Sequence, residues 1–258
     1  MKFQIGSNQN MQNKKATQDN KHEFAFFYKY LSDILHEDID IVIACDDLYH
    51  RFKHVVRIKQ DDKVILFNQK ERVVFTFAKF EGKNKIAGTW SERQLNESLK
   101  PSITFLLPLL KIDALSDAVY SLTEVGITNI QLIFTKKTQT PCTPKLLEKL
   151  ERVAVAAAEQ SKDFAHPTII PPVQFSDWLA EKREGAKFHF DVTGVPFSQW
   201  RTDIDPAQHY YLLVGPEGDL TDDEKSLTKT SGFMACLLTP TVLRSTRAIS
   251  LVSGIFRL

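Results

Sequence analysis

The chain has 258 residues, 43% apolar and 25% charged, with 33 basic against 32 acidic side chains, enough for one large core or two modest ones. A net charge of +1 carries no global excess of the kind that announces nucleic acid or membrane, and the longest apolar run, Ile103 to Leu110, is broken by Thr104 and Pro108, far short of a bilayer span. Three widely spaced cysteines (Cys45, Cys142, Cys236) argue against a disulfide framework or a cysteine-based zinc site and fit a reducing cytoplasm.

Residues 1–21 read as a polar leader, rich in Asn, Gln and Lys and without the apolar core of a secretory signal, so a disordered extension is expected there. Short β-branched or aromatic runs follow. Phe24 to Tyr30 and Ile39 to Ala44 are candidate early strands. His54 to Lys59 and Lys63 to Phe67 are joined by the turn-forming Gln60-Asp-Asp62. Arg72 to Phe77 and Lys85 to Thr89 continue the pattern at intervals of about ten residues, the rhythm of a small barrel or sandwich. Near neutrality of the whole conceals residues 48–93, which carry 11 basic against 5 acidic groups. His50, Arg51, Lys53, His54, Arg57 and Lys59 crowd into ten residues, forming either a solvated outer face or one that meets RNA.

After Leu99 the period changes. Ile103 to Leu107 has strand length, and from Asp113 the residues Leu115, Ala118, Val119, Leu122 and Val125 recur at helical spacing, closed by Gly126 at a C′ position. Ile130 to Phe134 is a strand. Thr143-Pro144 supplies an N-cap and an N1 proline for a helix burying Leu146, Leu147, Leu150, Val153, Ala154 and Ala157. Its end, Glu159-Gln-Ser161, is an exposed polar terminus or the polar edge of a pocket. A short helix begins at Ser176, strands follow at Phe188 to Val192 and Tyr210 to Val214, and Thr221 with Glu224 forms a capping box. Met234 to Leu238 is the last strand, with a helix expected from Pro240. This alternation predicts a mostly parallel sheet covered on both faces, and the boundary between the two domains falls near residues 94–101.

In such sheets ligands sit beyond the carboxyl ends of strands. Val214-Gly215-Pro216-Glu217-Gly218 and Leu238-Thr239-Pro240-Thr241-Val242-Leu243-Arg244 are the two loops there that combine rigidity with few bulky side chains. Each alone is an ordinary turn; side by side they make a slot for a flat ring held by main-chain groups. There is no G-x-G-x-x-G after the first strand, no P-loop and no nucleophile elbow, and no metal is inferred.

Taken in order, His54-Val-Val-Arg57, Leu122-Thr-Glu-Val-Gly126, Ala158-Glu-Gln-Ser161, Gly215-Pro-Glu-Gly218 and Leu243-Arg244 resemble the RsmE family of ribosomal RNA methyltransferases, within the SPOUT superfamily, over roughly residues 22–256. The resemblance implies a PUA-like, RNA-binding β-barrel over 22–95. It also implies an α/β SPOUT domain over 98–258, with a mostly parallel sheet and a deep trefoil knot near its end. It implies a homodimer that uses S-adenosylmethionine, without metal or membrane, to methylate N3 of a uridine in 16S ribosomal RNA of the small subunit. Leu213, Val214, Gly215, Pro216, Glu217 and Gly218 match one cofactor loop, and Leu238, Thr239, Pro240, Val242 and Leu243 the other. Arg244 is the candidate catalytic residue, by its charge and placement. Arg51, Lys53, His54, Arg57, Lys59 and Lys111 are the candidate RNA contacts, and Glu124 matches the acid of the family's E-L-G-V-like turn. Departures cluster at the loops. Asp219 replaces a glycine, Thr239 a glycine, Thr241 an arginine and Thr246-Arg247 a Glu-Thr pair; Lys162-Asp163 stands where an arginine is usual. The same fold could therefore serve a different RNA position, or a non-enzymatic RNA-binding or ribosome-assembly protein.

Overall fold

The computed structural model describes residues 24–35, 39–199 and 204–257; the leader expected over 1–21 lies outside them. The first domain holds β1 (Ala25–Phe27), α1 (Leu31–Ile34), β2 (Asp40–Ala44), α2 (Asp46–His50), a π-helical turn (Arg51–Val56), β3 (Lys63–Phe67), β4 (Glu71–Glu81) and β5 (Lys85–Leu95). Its sheet runs β1-β3-β4-β5-β2, parallel only between β1 and β3. Alternation decides what each strand buries: Val64 and Leu66, then Val73, Phe75 and Phe77, turn inward onto Phe26, Ile43, Leu48 and Phe52.

One expectation fails here. His54 to Lys59 is not a strand, because Leu48 and Phe52 lie one helical turn apart and are both fully buried, which holds the backbone helical through Val56. Arg57 ends that turn in the left-handed region at φ 58°. Burial of two large side chains outweighs the strand preference of Val55 and Val56. The first expected strand also shrinks to Ala25–Phe27, since Tyr30 already caps α1.

The second domain contains β6 (Ser102–Pro108), α3 (Ile112–Glu124), β7 (Asn129–Phe134), α4 (Pro144–Ser161), β8 (Thr168–Gln174), α5 (Phe175–Ala180), β9 (Ala186–Pro196), β10 (His209–Val214), α6 (Asp222–Thr230), β11 (Met234–Leu237) and α7 (Ser245–Ile255). Its sheet is ordered β11-β9-β10-β6-β7-β8 and every neighbouring pair is parallel. Local chemistry fixes the helix starts. Thr143 Oγ1 accepts the Leu146 N–H at 3.2 Å with Pro144 in the first turn, and Thr221 and Glu224 form the full reciprocal box. Gly126 takes φ 72° after α3, as its C′ position requires. Two features departed from the sequence pattern. β8 carries Pro171 and Pro172, which hide its strand character and are tolerated because it is the sheet edge. α7 begins at Ser245 and not at Pro240, the intervening residues being a loop in which Thr239 Oγ1 donates to the Thr241 carbonyl at 2.7 Å.

The domains meet where β1 and β3 present their outer faces to α4. Ala25, Phe27, Ile65 and Phe67 pack on Ala158 and Phe164. Glu159 anchors the seam: its Oε1 accepts the Phe27 N–H at 2.9 Å, and its carboxylate takes both Arg51 terminal nitrogens at 2.9 and 2.5 Å. The Arg51 guanidinium also lies 4.8 Å from the Phe26 ring centre. Neither sequence reading of Glu159 holds, since it is neither exposed nor at the pocket of the strand ends. Arg51, a candidate RNA contact, is turned inward to it.

Replacing Glu159 by Ala leaves a guanidinium and an edge N–H without their acceptor, and is expected to cost about 2 kcal/mol of stability in urea titration. Arg51→Ala should cost a similar amount, and the double variant clearly less than the sum, because both remove one contact. Additive effects would show that the pair does not act as a unit.

Candidate functional site

Parallel pairing brings the carboxyl ends of β9, β10 and β11 to one edge of the sheet. There a cavity of about 780 Å³ opens between residues 214–219 and 237–246, with the start of α3 as its third wall. It gathers Val214, Gly215, Pro216 and Glu217 from one predicted loop and Leu238, Thr239, Val242, Leu243 and Arg244 from the other. Three predicted members lie elsewhere. Leu213 precedes Val214 on β10 and therefore faces the opposite side, among Leu106, Ile133 and Trp178. Gly218 turns its carbonyl outward to the Lys137 ammonium at 2.6 Å. Pro240 stands outside the lining.

The reading of the sequence missed Asp117 on α3 and Phe190, Asp191 and Val192 on β9, and it took Asp219, which also lines the cavity, only as a departure from the loop pattern. The carboxyl-end rule applied to β9 as well as β10 would have found Asp191. In the first loop the left-handed residue is not a glycine. Neither Gly215 nor Gly218 has positive φ; Asp219 does, at 57°. The loop closes as a turn, Asp219 N–H donating to the Pro216 carbonyl at 2.9 Å. A side chain at Gly215 would put its first carbon 3.0 Å from Asp219 Oδ1, so the ring of the loop leaves little room there. Ser245 Oγ donates to the Gly215 carbonyl at 3.0 Å and ties the two loops together.

Electrostatics give the cavity a sign. Asp117, Asp191, Glu217 and Asp219 line it against Arg244. The Asp191 side chain is only 3% exposed, and burial by itself would raise its pKa. The Lys225 ammonium at 2.6 Å, with the Thr193 hydroxyl and N–H at 2.6 and 2.7 Å, overcomes that and holds the carboxyl at about 2. Lys225 also bonds Asp219 Oδ2 at 2.6 Å. Burial would lower the lysine pKa, but its two carboxylate partners raise it, so it stays charged. An anionic wall beside apolar Val214, Leu238, Val242 and Leu243 suits a ligand that joins a flat ring to a positive centre.

Among the described residues no group of three or more His, Cys, Asp or Glu is placed to hold a metal, and no helix is long and apolar enough to cross a membrane. Lys53, His54, Arg57 and Lys59 are exposed on the first domain. Lys53 lies 5.0 Å from the Tyr49 ring centre and 5.7 Å from that of Phe80, and the His50 and His54 rings stand 5.1 Å apart. Lys111 is exposed at the N-cap of α3, one turn from the cavity residue Ala114, and Arg244 is the N-cap of α7.

The model for the RNA methyltransferase domain matches residues 97–257. Across 88% of its length the chain is 27% identical to the ribosomal RNA small subunit methyltransferase E of Rickettsia conorii, and the match spans 88% of that relative. The enzyme of the same name from Aquifex aeolicus is 26% identical over 77% of the chain and 87% of its own length. Among solved structures, the small subunit methyltransferase E of Neisseria gonorrhoeae bound to S-adenosyl methionine superposes with a TM-score of 0.78, at 19% identity, over 92% of this chain and 97% of that one. A Legionella pneumophila protein in complex with the same cofactor gives 0.80 at 18% identity, over 92% and 98%.

Because the Asp191 pKa is depressed on folding, its contribution to stability is complete above the ordinary carboxylate value and lost as pH falls toward about 2. Urea midpoints of Asp191→Asn should therefore fall less steeply than those of the wild type from about pH 4 to about pH 2. Parallel curves would mean that Asp191 is not held as described.

Proposed function

The chain belongs to the RsmE family of RNA methyltransferases, and on that footing we propose that it methylates N3 of a uridine in the 16S ribosomal RNA of the small subunit, using S-adenosylmethionine, as a homodimer. The observation that carries this reading is the acidic, main-chain-walled cavity at the ends of β9, β10 and β11. S-adenosylmethionine would supply the electrophilic methyl group, carried on a sulfonium whose positive charge vanishes on transfer. Val214 to Glu217 and Leu238 to Leu243 would hold its flat base between two stiff loops, and Asp191 and Glu217 would favour its cation.

What remains for the chain is alignment, worth roughly 7–11 kcal/mol where geometry is good. Arg244, on the cavity rim, would stabilise the uracil ring as it loses its N3 proton. Lys53, His54, Arg57 and Lys59 on the first domain and Lys111 beside the cavity would meet RNA phosphates. Val242, 83% exposed on the cavity rim, would be covered by the second subunit. In this reading the first domain is the PUA-like module, the closing loop and α7 complete the knot, and a ribosomal substrate sets the protein in the cytoplasm. The departures at Thr239, Thr241 and Thr246, all of which line the cavity, favour the second reading, an RNA-binding or assembly protein with an altered target or no transfer.

Calorimetric titration should show one site per chain for S-adenosylmethionine and for S-adenosylhomocysteine. Labelled methyl transfer to small subunits, followed by mapping of the modified base, should give an N3-methyluridine. Arg244→Ala should retain cofactor binding and lose about 100-fold in transfer. A folded protein that binds neither ligand would sink the enzymatic reading in favour of the second.

A further inference from the structure

We propose that Lys225 is a positioning residue for the cofactor cavity, strapping the loop after β10 to the middle of β9 so that the cradle is set before a ligand enters. This rests on reading the cavity as the S-adenosylmethionine site. Lys225 does not line that cavity; it faces a smaller recess of about 220 Å³ behind β9, with His189, Asp222 and Lys229. Its reach into the site is through two carboxylates that do line it, each 2.6 Å from the same nitrogen: Asp191 on the strand and Asp219 on the loop.

The strap answers a local problem. Asp219 occupies the left-handed region at φ 57°, a conformation that glycine adopts freely and that a residue with a Cβ adopts at a cost, Asp less than most. Besides its N–H on the Pro216 carbonyl, two side-chain contacts hold it there. Oδ1 accepts the N–H of Leu220 at 2.8 Å, and Oδ2 accepts from Lys225. The platform under the lysine is itself fixed. Glu224, one residue earlier, closes the capping box of α6 and accepts the Lys136 N–H at 2.7 Å, while Lys137 draws on the Gly218 carbonyl. The loop is thus held from the residues just after β7, from α6 and, through Ser245 on the Gly215 carbonyl, from the second loop, while the Lys225 arm ties its cavity-lining Asp219 to β9.

Removing the ammonium has two consequences. Asp219 loses the partner that offsets its backbone conformation, and Asp191, buried beside His189 with Lys229 and Asp222 across the recess, loses its main counter-charge. A buried carboxyl without a cation takes up a proton closer to neutrality. Cofactor affinity would then acquire a dependence on pH that the wild type lacks.

The test is calorimetry on the full chain with S-adenosylmethionine and S-adenosylhomocysteine, together with hydrogen exchange of the Leu220 amide in unliganded protein. Lys225→Met should weaken both ligands equally, on the order of tenfold, make binding pH-dependent between about pH 5 and 7, and speed exchange at Leu220. Lys225→Arg should stay within about threefold of wild type. Asp219→Asn, which cuts only the loop-side arm, should lose about threefold and keeps the idea testable should Lys225→Met not fold. Wild-type affinity in both Lys225→Met and Asp219→Asn overturns the strap while leaving the proposed function standing. Loss confined to S-adenosylmethionine overturns it as well, since the lysine would then act through cavity charge. If the wild type binds neither ligand, the proposed function fails and takes this inference with it.

Discussion

Everything at the candidate site follows from one constraint, that all six strands of the second sheet run in the same direction. Parallel neighbours force each strand to hand over to a crossover at the same edge, so the loops after β9, β10 and β11 converge although they are far apart in sequence. Insertion of β10 between β9 and β6 sets Val214 beside Phe190. It is this adjacency that puts an acid from one strand against a turn from the next. A reversal of any one of the three strands would send its loop to the opposite edge and leave no cavity.

The same logic explains why a carboxylate joins the two domains. β1 is an edge strand, bonded to β3 on one side only, and an unpaired N–H at a buried seam is costly. Glu159 accepts that N–H and neutralises Arg51 with the same group. A buried ion pair is weak evidence for stability in itself, because desolvation offsets the attraction. Here the carboxylate also completes the backbone of an edge, and apolar contacts of Ala25, Phe27, Ile65 and Phe67 surround it. The seam therefore fixes the orientation of the first domain, and with it where the exposed Lys53, His54, Arg57 and Lys59 lie relative to the second.

Much of the fold was legible. Lys63–Phe67, the proline-started α4 and the capped start of α6 were readable to within a residue, because each is specified by short-range chemistry: alternation, an N-cap, a reciprocal box. The π-helical turn was not, since its cause is burial of Leu48 and Phe52 in a core assembled from distant strands. β8 was hidden by two prolines that only an edge position permits. At the site, eight of the eleven cofactor-loop positions and Arg244 line the cavity; the other three were assigned by loop, and a loop is too coarse a unit. Strand alternation excludes Leu213 while admitting Val214. Asp191 and Lys225 escaped notice because neither belongs to a motif; each matters through a partner brought close by the sheet.

The substitutions in the two loops can be ranked by how the structure absorbs them. Asp219 keeps the backbone conformation of a glycine, and its carboxylate is bonded at both oxygens. Thr239 spends its hydroxyl on the Thr241 carbonyl, which stabilises the second loop from within and keeps the added polar group out of competition for a ligand. Thr241 and Thr246 are different: they place small neutral side chains on the cavity lining, where the resemblance to the family leads one to expect charged ones. Arg244 accordingly faces an anionic wall whose buried member, Asp191, is already engaged by Lys225. Among the described residues no carboxylate pairs with that guanidinium, which leaves it placed to meet an anion that arrives from outside. Negative charge thus lies on the inner wall of the cavity and the guanidinium at its mouth.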